Sequence, residues 1–151
     1  MDIVTKYVAH VTLRLEHIPH QVVGNIVRWT LLYNPGAAFG LSLGPQSRWL
    51  LLGITGLMLG ILWRLYRATP ADRWIRAIAL GLVAGGALGN LLTRIWSPRG
   101  VVDFIDVGIG TSRWPAFNVA DIGVTTGALL LALVFQREEA SAHTDGNATL
   151  A

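Results

Sequence analysis

The chain has 151 residues, of which 52% are hydrophobic and only 14% charged, too few charges to cover the surface of a soluble domain of this size. Twelve Lys and Arg against nine Asp and Glu leave a net charge of +3; eleven of the twelve are Arg, scattered instead of clustered, which argues against nucleic-acid binding. The absence of cysteine excludes disulfides, a thiolate nucleophile and a Cys-ligated metal.

In chain order, residues 3–13 (IVTKYVAHVTL) form a short apolar run interrupted by Lys6 and His10. It is too short to cross a bilayer alone and lacks the basic leader and small-residue cleavage site of a signal peptide, so it reads as the exit half of a spanning helix. The texture then changes. The run VVGNIVRWTLLY is β-branched and aromatic, with Val27, Trp29, Leu31 and Tyr33 expected on one face of a strand. Trp49–Trp63 and Ala77–Thr93 carry no charge and are bounded by Arg. As helices they cover roughly 22–26 Å of a hydrocarbon core of about 30 Å, and snorkelling Arg64, Arg76 and Arg94 supply the remainder.

Gly100–Val107 (GVVDFIDV) is a second strand-like run, and Val119–Phe135 a third span with one charge, Asp121, near its start. The short loop between the two clearest spans carries Arg64, Arg67, Arg73 and Arg76, which places it in the cytoplasm by the positive-inside tendency and the strand-like segments on the exoplasmic side. The polar residues 137–151 read as a disordered cytoplasmic tail behind a membrane domain of residues 1–136.

Charged residues beside apolar spans cost enough to need a reason. Near the bilayer centre an ionised Asp costs about 2.5–3.5 kcal/mol, and less towards the surface. Asp121 has a plain explanation as a helix cap, shared with Asn118. Asp103, in an otherwise apolar run just beyond a span, would be held at the same interface. Two such carboxylates share a proton: one remains a base for water and the other an acid for a leaving group, the minimum for metal-free peptide hydrolysis. Asp106 precedes GIGTSR and is adequately explained as a turn-forming or solvated residue. Asn90 and Arg94, four apart, share a helix face that should look into the bundle, although Arg94 can also be read as snorkelling. The glycines of GGALG suit close helix packing.

His17 and His20 lack further ligands, so no metal is expected. Ser42, Ser47, Ser97 and Ser112 have no His placed as a base. A small transporter or channel subunit that binds protons or cations on paired Asp fits the composition equally well, but needs no strand-like exoplasmic segment.

Five strings in order, DIVTK (2–6), NPGAAFGL (34–41), GGALGNLLTR (85–94), GVVDFIDV (100–107) and FNVAD (117–121), resemble the lipoprotein signal peptidases, the signal peptidase II family of bacterial aspartic proteases. The resemblance implies an all-α integral membrane protein of four transmembrane helices with a small exoplasmic β-cradle and cytoplasmic termini, working in the bacterial inner membrane as a monomer without cofactor. It implies removal of the signal peptide from diacylglyceryl-modified prolipoproteins, by cleavage before the lipidated cysteine. Asp103 and Asp121 would be the catalytic pair; Asn34, Gly36, Asn90, Arg94 and Asn118 would bind substrate or orient the pair; Asp2 and Lys6 would be a structural polar pair of the first helix. The family pattern has Asp where this chain has Thr93, and about half a helix more of apolar sequence before the first string. An apolar extension upstream of Met1 is accordingly expected to stabilise the chain.

Overall fold

The computed structural model of the chain describes residues 1–36 and 46–148; most of NPGAAFGL, with Ser42, lies outside the described residues. The elements run α1 (Asp2–Leu13), β1 (Pro19–Val23), β2 (Val27–Asn34), α2 (Ser47–Arg67), α3 (Trp74–Trp96), β3 (Val101–Ile109), β4 (Ser112–Arg113) and α4 (Val119–Ala148).

Among the described residues three helices are long and apolar enough to cross a membrane: Ser47–Arg67, Trp74–Trp96 and the Val119–Glu138 part of α4. At 1.5 Å per residue each reaches about 30 Å or more, whereas the 12 residues of α1 reach about 18 Å. α2 buries only Ser47 and Leu62 and leaves Trp49, Leu57 and Trp63 more than 60% exposed, a surface that lipid solvates and water does not. α3 and α4 meet through small residues. A Cβ on Gly86 would strike the carbonyl oxygen of Ala120, and one on Gly127 would lie 2.6 Å from that of Ala79. The GGALG string thus does serve helix packing. α4 runs from Val119 to Ala148. Glu138, at the end of the apolar part of α4, pairs with Arg73 at 3.0 Å.

The strands form one antiparallel sheet in the order β1-β2-β3-β4, with the α2–α3 hairpin inserted between β2 and β3. Two details differ from the sequence reading. VVGNIVRWTLLY is not one strand, because Gly24 adopts a positive φ of 49° and the chain reverses before β2. Nor do Val27, Trp29, Leu31 and Tyr33 share one environment: the register shifts between Trp29 and Leu32, leaving Leu31 1% and Trp29 47% exposed. Such a bulge is set by pairing across strands, which period-2 reading cannot detect. The sheet packs on α1 through a core of Ala9, Leu13, Leu31, Val102 and Phe104.

Asp106 is neither a turn residue nor solvated. It lies within β3, 8% exposed, where Arg113 donates to its Oδ1 at 2.8 Å, and Arg28 and Thr30 donate to its Oδ2 at 3.0 and 3.2 Å. Arg113 also donates to the carbonyl of Asn25 at 2.6 Å, so one carboxylate ties the β1–β2 turn, β2, β3 and β4 together. Burial alone would raise its pKa, but these hydrogen bonds prevail and hold it below the ordinary 3.8. We expect Asp106→Asn to cost about 2 kcal/mol at neutral pH, read as a lower Tm in detergent. Because the folded pKa is depressed, the wild-type advantage is complete above the ordinary carboxylate range and is lost as pH falls through the lowered value.

Candidate active site

β3 carries Asp103 opposite Leu32 of β2, and the first turn of α4 carries Asp121. Between them stands Asn118, which is fully buried. Its side-chain oxygen accepts the Asp121 N–H at 3.2 Å, while Asp121 Oδ2 accepts the Asn118 N–H at 3.0 Å. This is the reciprocal geometry of a capping box, which satisfies two of the helix's orphan donors. The cap reading of Asn118 and Asp121 is therefore correct and still leaves groups free for other work. Asn118 Nδ2 donates to Asp103 Oδ1 at 2.6 Å, and Asp121 Oδ1 accepts from Asn90 Nδ2 at 2.8 Å.

Asn90 joins this pair to the first helix. Its Oδ1 accepts from Lys6 Nζ at 2.6 Å and from Asn118 Nδ2 at 3.2 Å, so the amide turns its oxygen to the cation and its NH₂ to the carboxylate. Lys6, only 3% exposed, also pairs with Asp2 at 2.7 Å, and Asp2 Oδ1 accepts the Ala120 N–H at 3.0 Å. Asp2 is thus paired, in space left by Gly89, where a Cβ would lie 2.6 Å from its Oδ2. Thr93, where the family pattern has Asp, touches Lys6 at 3.4 Å and donates to its own helix at the Gly89 carbonyl.

Asn34 completes the surroundings of Asp103, donating from Nδ2 to Oδ2 at 3.3 Å. Two glycines make its position attainable. Gly36, at φ +126°, donates its N–H to Asn34 Oδ1 at 3.0 Å, and Gly100, at φ +101°, lets the chain before β3 press against the Asn34 carbonyl, where a Cβ would clash. Ser47 fixes the same segment by donating to the Pro35 carbonyl at 2.9 Å. Arg94 stands in the last turn of α3, within electrostatic reach of both Asp103 and Asp121. Its Nη1 reaches only the Asn90 carbonyl, at 3.5 Å, and its buried Nε has no hydrogen bond. Arg48, which the sequence reading did not single out, donates to the carbonyls of Arg94 and Ile95 at 2.8 Å each and so closes the C-terminus of α3. The structure thus brings Asn34, Asn90, Arg94, Asp103, Asn118 and Asp121 together, with Lys6 and Asp2 attached through Asn90.

Asp103 is 5% exposed. Burial is the main force that pushes its pKa from 3.8 up to about 6, and Asp121 adds to it, while the hydrogen bonds from Asn118 and Asn34 pull the other way. A carboxyl that exchanges its proton near neutrality beside a second carboxylate can serve acid–base chemistry, or bind a proton.

A family model described as Signal peptidase (SPase) II matches residues 1–137. A lipoprotein signal peptidase of Mycobacterium tuberculosis is 43% identical over 140 residues, covering 89% of this chain and 64% of that one. Another, of Mycobacterium avium, is 42% identical, covering 89% of this chain and 71% of its own length. A solved bacterial membrane enzyme aligns with a TM-score of 0.82 at 30% identity, over 93% of this chain and 83% of that structure. The chain therefore spans a little under two thirds of the tuberculosis relative, and the transporter alternative is not favoured. Its apolar helices and bacterial relatives make it a bacterial membrane protein. Five motifs in order, a three-helix membrane frame with an antiparallel sheet, and these matches agree: the chain belongs to the signal peptidase II family.

Proposed function

We propose that this chain is an aspartic endopeptidase of the membrane that removes the signal peptide from diacylglyceryl-modified prolipoproteins, cutting before the lipidated cysteine, with Asp103 and Asp121 as its catalytic pair. The observation that carries this reading is the buried Asp103, pushed up to about 6 and bridged by Asn118 to the helix turn that holds Asp121. The charge balance supports it. Asp2, Asp103 and Asp121 outnumber Lys6 and Arg94 by one, so a single proton brings the cluster to neutrality.

In this mechanism Asp121 takes a proton from water as the water oxygen adds to the scissile carbonyl carbon. Asp103 gives its proton to the departing amide nitrogen as the tetrahedral intermediate loses its C–N bond. Asn34 and Asn118 hold Asp103, Asn90 holds Asp121, and Arg94, with donors to spare, donates to substrate carbonyls. The scissile strand lies extended along the cradle near Gly36, and the diacylglyceryl chains lie in lipid against the helices. Asp2 and Lys6 are structural. The first helix is the exit half of a fourth span, the termini face the cytoplasm, the dyad lies on the exoplasmic side of the inner membrane, and the enzyme acts as a monomer.

Asp103→Asn and Asp121→Asn should each lower cleavage of a lipidated prolipoprotein in micelles by about 10²-fold or more, with membrane insertion intact, whereas folded Asp106→Asn retains turnover. Wild-type turnover in both dyad variants would sink the aspartic mechanism. If Asp103 is the acid, kcat/KM falls as pH rises through about 6. Asn34→Leu, which removes a donor to the carboxylate, should move that limb to higher pH; an unmoved limb would assign it to another group.

The same burial makes the site costly. A folded pKa raised from 3.8 to about 6 corresponds to roughly 3 kcal/mol of stability present below pH 4 and lost as pH rises through 6. Asp103→Asn should accordingly raise Tm at pH 8, by an amount that fades towards pH 4.

A further inference from the structure

At the loop end of the bundle, α3 and α4 part to leave a groove of about 730 Å³, a volume in the usual range for small-molecule sites. Leu130, Leu133 and Arg137 line it from α4, and Arg73, Trp74 and Arg76 line it from the start of α3. Trp74 is 63% exposed, as expected of an aromatic residue at a lipid headgroup boundary.

Arg76 distinguishes this groove from an ordinary gap between helices. Its guanidinium packs over Phe135 at 5.2 Å, and its Nε is buried without a hydrogen bond. The nearest carboxylate oxygen, on Glu138, is 3.6 Å from Nη1, beyond hydrogen-bond length, because Glu138 bonds Arg73 instead at 3.0 Å. Arg76 therefore holds positive charge that the protein does not fully satisfy. The last turn of α2 brings Arg64 and Arg67 to the same end, so in this part of the sequence Arg64, Arg67, Arg73, Arg76 and Arg137 outnumber Asp72, Glu138 and Glu139.

We propose that this groove is a binding site for one anionic phospholipid, its headgroup phosphate on Arg76 and Arg73 and an acyl chain along Leu130 and Leu133. The charge selects an anion, and the apolar lining continuous with lipid-facing helix surface selects one with a hydrocarbon tail. The site rests on the membrane embedding of the helices and not on the peptidase reading.

The test is native mass spectrometry of the full chain released from micelles containing phosphatidylglycerol or phosphatidylcholine. One phosphatidylglycerol should be retained in preference to phosphatidylcholine. Arg76→Gln should weaken retention roughly fivefold, and Arg73→Gln with Arg76→Gln roughly thirtyfold. Arg99→Gln, which lies just past the far end of α3 and pairs with Glu16 at 2.8 Å, should change nothing, and millimolar inorganic phosphate should not displace the lipid. Equal retention of the two lipids, wild-type retention by Arg76→Gln, or an equal loss in Arg99→Gln overturns the proposal. Displacement by inorganic phosphate overturns it in favour of a free-anion site. Should Arg76→Gln fail to fold, the half-exposed Arg73→Gln alone decides, with a fivefold loss supporting the site and no loss overturning it.

Discussion

The structure depends on one constraint: carboxylates withdrawn from water at the ends of apolar helices must find their hydrogen bonds inside the protein. Asparagine is the residue that meets it. Each amide offers donors and an acceptor without adding charge, so it can stand between a carboxylate and whatever must be kept near it. Asn34 comes from β2, Asn90 from α3 and Asn118 from the start of α4, and each reaches Asp103 or Asp121. The elements are thereby held together at their least water-like junction, where an unmade hydrogen bond costs most.

The apolar contacts serve that junction. Gly86 and Gly127 let α3 and α4 approach closely enough for Asn90 and Asp121 to meet, and Gly89 leaves the space that Asp2 fills. On the sheet side, α1 packs on Leu31, Val102 and Phe104, which flank or adjoin the position of Asp103. The Asp106 cluster joins four segments of the sheet through ionic hydrogen bonds at its far end. The sheet is therefore pinned twice, once by charge and once by the site itself, and Asp103 has little freedom to swing away from Asn118.

What the sequence disclosed follows from whether the informative interactions are local. Asp103 and Asp121 stood out because a charge in an apolar run is costly wherever it lies, and Asn90 and Arg94 because helical spacing is local. The three long apolar helices were legible for the same reason. Asp106 was misread because its partners, Arg28 and Thr30, lie on a strand 76 or more residues away in sequence. Lys6 was read as a partner of Asp2 alone, since its bond to Asn90 spans 84 residues. Arg48 carried no signal at all: a single Arg at the start of a span looks like a snorkelling residue until the carbonyls it caps are known. The bulge in β2 and the hairpin before it are likewise products of pairing.

α4 links the two polar ends of the molecule. Asp121 stands in its first turn and Glu138, paired with Arg73, lies 17 residues later, about 26 Å along the axis. That distance is close to the thickness of a bilayer's hydrocarbon core, about 30 Å. A helix of this length cannot place Glu138 and the basic loop at one interface without bringing Asp121 towards the other. The arginines need not touch the carboxylate pair to matter for it: whatever fixes their side of the membrane also fixes the side towards which the pair lies.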